Sequence, residues 1–217
     1  MQYKFIFNIM KCRLSNRAAT DLDLKLELKM NISIISLEQA LEILGQLLKD
    51  RGQYYEVVAI GGGGLLLLGL IDRTTKDLDL VARLENNTIF SSFPLPKLLL
   101  DAAKEVGRAL QLGEGWLNCG PASLLDAGLP EGFLDRMHTR HYKGLTLHLA
   151  SRIDQICFKL YASVDHELYS KHYVDLISLK PSSSELEYAK KWCLTQDVSE
   201  TFALLLDQTL ESLREHS

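Results

Sequence analysis

The hydrophobic pattern changes period several times along the chain, and each change marks an element. Leu37, Ala40, Leu41, Leu44, Leu47 and Leu48 recur at helical spacing, which predicts a helix capped at Ser36 and running to about Lys49, with Arg51-Gly52-Gln53 closing it. Tyr54 to Ile60 is β-branched and apolar and reads as a buried strand. Gly61 to Gly64 follows, and the unbroken apolar run Leu65 to Leu70 predicts a short buried helix. After a turn at Arg73 to Lys76, Leu78 to Ala82 predicts a second strand.

Residues 86–97 carry Asn86-Asn87, Ser91-Ser92, Pro94 and Pro96 and read as a loop. Leu98 to Leu110 predicts a helix, and residues 112–135 are punctuated by Gly and Pro and irregular. Leu145 to Leu149 reads as a strand, and helices follow over Arg152 to Ser163 and around Tyr173 to Leu179. Beyond Pro181 the balance shifts to three basic and seven acidic residues, which predicts two solvent-lined helices packing on the domain. The expected class is therefore α/β (α+β): a small mixed sheet flanked by helices. The expected organisation is an N-terminal extension over 1–29, a domain over 30–180 and a helical C-terminal extension over 181–217.

Composition narrows this picture. The chain has 217 residues, is 47% hydrophobic and 24% charged, and sets 24 Lys and Arg against 28 Asp and Glu. That excludes collagen, coiled-coil and disordered classes and a strongly basic nucleic-acid coat. At this size a chain buries roughly 70% of its unfolded surface and needs no disulfide or structural metal to fold. Cys12, Cys119, Cys157 and Cys193 show no metal-ligand spacing, and isolated thiols of this kind fit a reduced, cytoplasmic protein. The longest apolar stretch, Leu65 to Ile71, is far short of the ~20 residues of a membrane span, so no membrane partner is expected. Residues 1–20 hold Lys4, Lys11, Arg13 and Arg17 and no acid, without the apolar core or cleavage site of a signal peptide.

The chemistry concentrates in VVAIGGGGLLLLGLIDRTTKDLDLVA, residues 57–82. Gly61 and Gly62 let backbone approach a phosphate closely and open a helix N-terminus that favours anions. Asp77 and Asp79 are two apart on a strand, so both carboxylates face one side. Paired carboxylates call for a cation, and Mg²⁺ suits them, with hard oxygen ligands and further oxygens from water and phosphate. Arg73 and Lys76 stand close enough to hold phosphate oxygens. The glycines do not satisfy the dinucleotide fingerprint, because Leu66 stands where its last glycine belongs, and Leu65 excludes a P-loop. The second DLDL, Asp21 to Leu24, has no glycine turn before it. The histidines form no HExxH pair, and the basic run DRMHTRHYKG, residues 135–144, reads as a solvated hairpin ahead of a nucleic-acid groove.

Gly61-Gly62, Arg73, Thr75, Asp77 and Asp79, in that order, resemble the nucleotidyltransferase superfamily of DNA polymerase beta-like fold, in which a Gly-Gly turn precedes Asp-x-Asp on the next strand. The likeness is nearest to the abortive-infection and type IV toxin branch and the uncharacterised bacterial nucleotidyltransferase-like families beside it. A weaker match follows: LTLHLASRIDQICFKLYA supplies the Lys159 and Ala162 of a K-x-x-A helix, and KHYVDL supplies Lys171 and Asp175. The resemblance spans roughly residues 37–180.

It implies a nucleotidyltransferase fold, Mg²⁺ or Mn²⁺ held by Asp77 and Asp79, and a nucleoside triphosphate seated by Gly61, Gly62, Arg73, Thr75, Lys76 and Lys159, with Asp175 orienting the lysine or a neighbouring arginine. The implied reaction moves a nucleoside monophosphate to a hydroxyl of tRNA, a protein or a small molecule, and the toxin likeness implies a cognate antitoxin. One departure stands out. The superfamily places a third carboxylate on a later strand, and GWLNCG, residues 115–120, has none; Asp126, Glu131 and Asp135 lie beyond it in the irregular segment. That departure keeps open a catalytically inactive protein of the same fold that binds nucleotide or a partner.

Overall fold

A computed structural model describes residues 31–86, 88–164 and 170–215. The N-terminal extension, the DLDL at Asp21 to Leu24 and Cys12 lie outside the described residues.

The elements in chain order are α1 (Ile34–Asp50), β1 (Tyr55–Ile60), α2 (Gly61–Leu67), β2 (Leu78–Glu85), β3 (Thr88–Ser91), α3 (Lys97–Ala109), β4 (Leu117–Asn118), the short α4 (Leu124–Ala127), β5 (His138–Tyr142), β6 (Leu145–Leu149), α5 (Arg152–Val164), α6 (Lys171–Leu179), α7 (Ser183–Gln196) and α8 (Glu200–Glu215). The strands form one mixed sheet in the order β3-β2-β1-β6-β5, with β4 pairing the start of β2. β1 runs parallel to β6 and antiparallel to β2, which places the C-terminal ends of β1 and β6 beside the N-terminal end of β2. The fold is thus a mixed α/β arrangement, a small sheet flanked by helices.

Helices cover both faces. On one face Val57, Ala59, Leu78, Leu80 and Leu147 pack against α1 and α3. On the other, Val58, Ile60 and Val81 pack against α5, α7 and α8. This two-sided burial explains why β1 reads as a continuous apolar run instead of an alternation. The tail helices share that second core through Leu186, Ala189, Trp192, Cys193, Phe202, Leu206, Leu210 and Leu213. A capping box at Ser182 and Glu185 starts α7, and Arg152 ties it to the domain by donating to Glu185 at 2.9 Å and to the Leu179 carbonyl at 2.7 Å.

Several local expectations shift. Ser33, not Ser36, caps α1, because its hydroxyl accepts the Ser36 N–H at 3.2 Å and the helix begins three residues earlier. α2 begins on Gly61 itself, so the glycines form the helix rather than a loop before it. The stretch read as a loop contains β3, a hairpin partner of β2 turned at Asn86, which has a positive φ of 51°. A four-residue strand between turn residues and prolines is too short to show a period. The basic run forms the β5–β6 hairpin, and several of its charges are committed inside the molecule: Arg136 donates to Asp154 at 2.6 Å, Arg140 pairs with Glu38, and Lys143 meets Gln46. Burial pushes the Cys157 thiol up to about 12 and raises Cys193 as well, which makes both inert hydrophobes.

No helix among the described residues is long and apolar enough to cross a membrane.

Candidate functional site

The sheet end where β1, β2 and β6 meet opens into a cleft of about 580 Å³. Gly61, Gly62, Arg73, Thr75, Lys76, Asp77, Asp79 and Lys159 all line it. Asp175 lies beneath, 1% exposed. The residues singled out from the sequence therefore converge on one place.

The glycine run is a packing device. Gly61 has a φ of +76°, and a Cβ there would stand 2.8 Å from Asp79 Oδ2, so only glycine admits both the backbone angle and the carboxylate. A Cβ on Gly62 would crowd Thr75 Oγ1 and Arg73, one on Gly63 would meet the Asp77 carbonyl at 2.8 Å, and one on Gly64 would meet Gln155 Nε2 at 2.7 Å. Four successive glycines let α2 lie directly on the acidic strand and on α5. The Gly61 N–H donates to Gln155 Oε1 at 2.9 Å, so its role is to shape the bend and not to offer that donor to a ligand.

Asp79 is the second residue of β2, whereas Asp77, expected on the same strand, stands just before it, so strand alternation does not set the direction of its carboxylate. Both are half-buried. Burial, and then the neighbouring Asp77 charge, raise the Asp79 carboxyl above its ordinary range, against the pull of an Asn118 hydrogen bond and of Lys171 and Lys159. Thr75 is buried, and its hydroxyl donates to the Asp77 carbonyl at 3.1 Å, which fixes the turn that presents Asp77.

Behind the acids stands a buried charge cluster. Arg73 reaches Asp175 with two nitrogens, at 2.6 and 2.7 Å, and Lys159 Nζ lies 2.7 Å from the same carboxylate. The Lys159 side chain is 4% exposed. Burial pulls the Lys159 ammonium below its ordinary range in spite of Asp175. Asp175 is shifted down: burial opposes its charge, but the Arg73 and Lys159 contacts outweigh it. The lining also includes the apolar side chains of Ile60, Pro121, Leu124 and Phe158.

Gln155 at the site was given no role from the sequence, and Asn118 and His172 were quoted only within GWLNCG and KHYVDL, without a role of their own. Gln155 is one turn before Lys159 on α5, and the i, i+4 spacing of two polar residues on an otherwise apolar helix face is the signal that could have found it. Asn118 lies in GWLNCG, the stretch where the resemblance places a third carboxylate, and its pairing beside Asp79 is what the structure adds.

The donor set fits a divalent cation of the magnesium type. Two adjacent carboxylates open to a cleft supply hard anionic oxygens, leaving water and phosphate to complete an octahedron. Among the described residues no group of three or more His, Cys, Asp or Glu is placed to hold a metal. The lining carries Arg73, Lys76, Lys159 and Lys171 beside the acids Asp77 and Asp79, and Arg73 and Lys159 are already paired with Asp175. No protein-family model, curated protein or solved structure matches the chain.

Proposed function

We propose that the protein is a nucleotidyltransferase that moves a nucleoside monophosphate from a nucleoside triphosphate to an acceptor hydroxyl. The observation that carries this reading is the meeting, in one open cleft, of the Asp77 and Asp79 carboxylates with Arg73 and Lys159. A bound Mg²⁺ or Mn²⁺ would supply Lewis-acid polarisation of the phosphate oxygens.

The chain's own residues divide the remaining work. Asp77 and Asp79 hold the cation. Arg73, Lys76, Lys159 and Lys171 neutralise the phosphates, and Asp175 holds Arg73 and Lys159 at fixed positions before substrate arrives, so little reorganisation is needed. Pro121, Leu124 and Phe158 offer an apolar wall for the base. The acceptor oxygen bonds to the α-phosphorus, the bond to the β-phosphate oxygen breaks, pyrophosphate leaves, and the hydroxyl proton passes to bulk water. Acceptor and base choice lie outside what a fold decides, and a tRNA end, a protein hydroxyl and a small molecule are all candidates. A cognate antitoxin is a candidate partner on the toxin resemblance alone.

The test is incubation with each of the four α-labelled triphosphates and total tRNA, total protein or small hydroxyl compounds. Label is expected on one acceptor class and is expected to vanish with Asp77→Ala; transfer that survives the substitution overturns the assignment. A second reading, a nucleotide-binding protein without turnover, is favoured by the amide of Asn118 beside Asp79. Binding of Mg-ATP without label transfer to any acceptor would establish it.

A further inference from the structure

A second cavity, of about 730 Å³, adjoins the cleft, and Gly120 lines both. The residues that follow β4 divide between the two. Pro121 and Leu124 line the cleft, whereas Ser123 and Asp126 line the second cavity. Asn118 lines it too, and it pairs in register with Asp79 across β4 and β2. The cavity therefore begins one strand spacing, about 4.8 Å, from an acid assigned to the cation. Asn118 Oδ1 accepts the Gly120 N–H at 2.8 Å, which holds the shared edge in place.

An aromatic ring and a carboxylate share this second cavity, in Phe93 and Asp126. Phe93 is 70% exposed although it is apolar. The turn that presents it is anchored: the buried Ser92 hydroxyl donates to the Leu80 carbonyl at 2.7 Å, and the Phe93 N–H donates to Ser91 Oγ at 3.1 Å. The face of an aromatic ring attracts a cation, as a carboxylate does. Ser91 and Ser123 add hydroxyls that both donate and accept. The volume falls in the range that holds a small molecule. A nucleic-acid backbone would bring its phosphates against Asp126.

We propose that this cavity is the acceptor site and takes a small hydroxylated amine, with Asp126 and Phe93 receiving the ammonium and a hydroxyl reaching past Gly120 to the α-phosphate. This rests on the nucleotidyl-transfer reading above and names its acceptor class. An alkyl amine is protonated at neutral pH and has no lone pair to offer, so the hydroxyl is the nucleophile. Its oxygen bonds to the α-phosphorus, the bond to the β-phosphate oxygen breaks, pyrophosphate leaves, and the hydroxyl proton passes to bulk water.

The experiment gives the full chain Mg²⁺, the four α-labelled triphosphates and one acceptor at a time: glucosamine and a diaminocyclitol, their neutral counterparts glucose and inositol, total protein, and total tRNA. Label is expected on the amines, with kcat/KM about tenfold or more above the neutral counterparts. Asp126→Asn is expected to raise the amine KM by about two- to fivefold, the worth of an exposed ion pair, and Phe93→Ala by a similar factor. Asp126→Lys is expected to raise it by about tenfold or more, with the triphosphate KM unmoved in all three. Thermal unfolding checks each variant, and Asp126→Asn carries the measurement if the lysine variant does not fold. Label on tRNA or protein, equal use of the neutral compounds, or an amine KM that these substitutions leave unmoved overturns the acceptor class while nucleotidyl transfer stands. No label on any acceptor overturns the transfer reading and this proposal with it, so the two failures are distinguishable.

Discussion

Asp175 grips Arg73 through both carboxylate oxygens, at 2.6 and 2.7 Å, although 102 residues of chain separate them. The same carboxylate holds Lys159, so one buried acid serves two cations at the back of the cleft. A neutral amide in its place would leave both cations without their counter-charge. Asp175→Asn is expected to lose about 3–5 kcal/mol, the cost of breaking a buried ion pair, in urea denaturation. A loss below about 1 kcal/mol, the range of surface pairs, would show that the cluster contributes nothing beyond them.

The same acid sets the behaviour at low pH. Asp175 and Glu185 both titrate below their ordinary range in the folded protein, although burial opposes both charges; Asp175 is held down through Arg73 and Lys159, and Glu185 through Arg152 and its Ser182 cap. Between folded and unfolded pKa values the unfolded chain binds more protons, so this stability is complete at neutral pH and drains as pH falls below about 4. Denaturation midpoints measured from pH 6 to pH 2 should fall steeply only in the acid part of that range. Asp175→Asn should flatten the fall.

Asp79 works in the opposite direction. Its carboxyl is raised by burial and by Asp77, so the ionised form is a strain on the metal-free protein. Asp79→Asn is expected to raise the melting temperature of that protein by about 2–4 °C, the response of a domain this size to about 1 kcal/mol. It should abolish the further rise that Mn²⁺ gives the wild type. A lower melting temperature would mean that Asp79 is structural.

Gly61→Ala combines two penalties, a positive φ of 76° and a Cβ 2.8 Å from Asp79 Oδ2. The backbone term alone costs about 1–2 kcal/mol. Gly69→Ala shares that term, with a φ of +68° and nothing within 4 Å of the added Cβ. Both variants should lose stability, and only Gly61→Ala should also lose Mn²⁺ affinity. Equal Mn²⁺ binding by the two would remove the link between the bend and the acid.

Gly45 tests the scaffold away from the cleft. A Cβ there would fall 1.7 Å from the Tyr142 carbonyl oxygen, where α1 crosses β5. Gly45→Ala is expected to cost about 3 kcal/mol or more, at the upper end for overpacking, or to yield insoluble protein. Wild-type solubility and melting temperature would contradict this close approach.

Much of the site was legible because its parts are neighbours in the chain. The glycines, Arg73, Thr75, Asp77 and Asp79 fall within one strand–helix–strand stretch, so their order and spacing are read directly from the chain, although Asp77 stands just before β2 and outside its alternation. Lys159 was legible only as part of a spacing pattern. Its burial was not, since a lysine on a helix is ordinarily a surface residue, and Asp175 makes the difference. β3 escaped notice because four residues cannot display a period.

Asn118 and Gln155 show where local reading stops. Each becomes part of the site through a contact between distant segments: Asn118 because β4 pairs with the first two residues of β2, and Gln155 because α5 lays its polar stripe against Gly61, 94 residues away. Side-chain alternation and backbone preference act over a few residues, so the chain alone settles which elements form and that an acidic pair follows a glycine bend. Strand order and helix docking are set by burying apolar faces that many segments share. For that reason only the assembled sheet could decide that β4 sets Asn118 beside Asp79, and that one buried carboxylate joins Arg73 to Lys159.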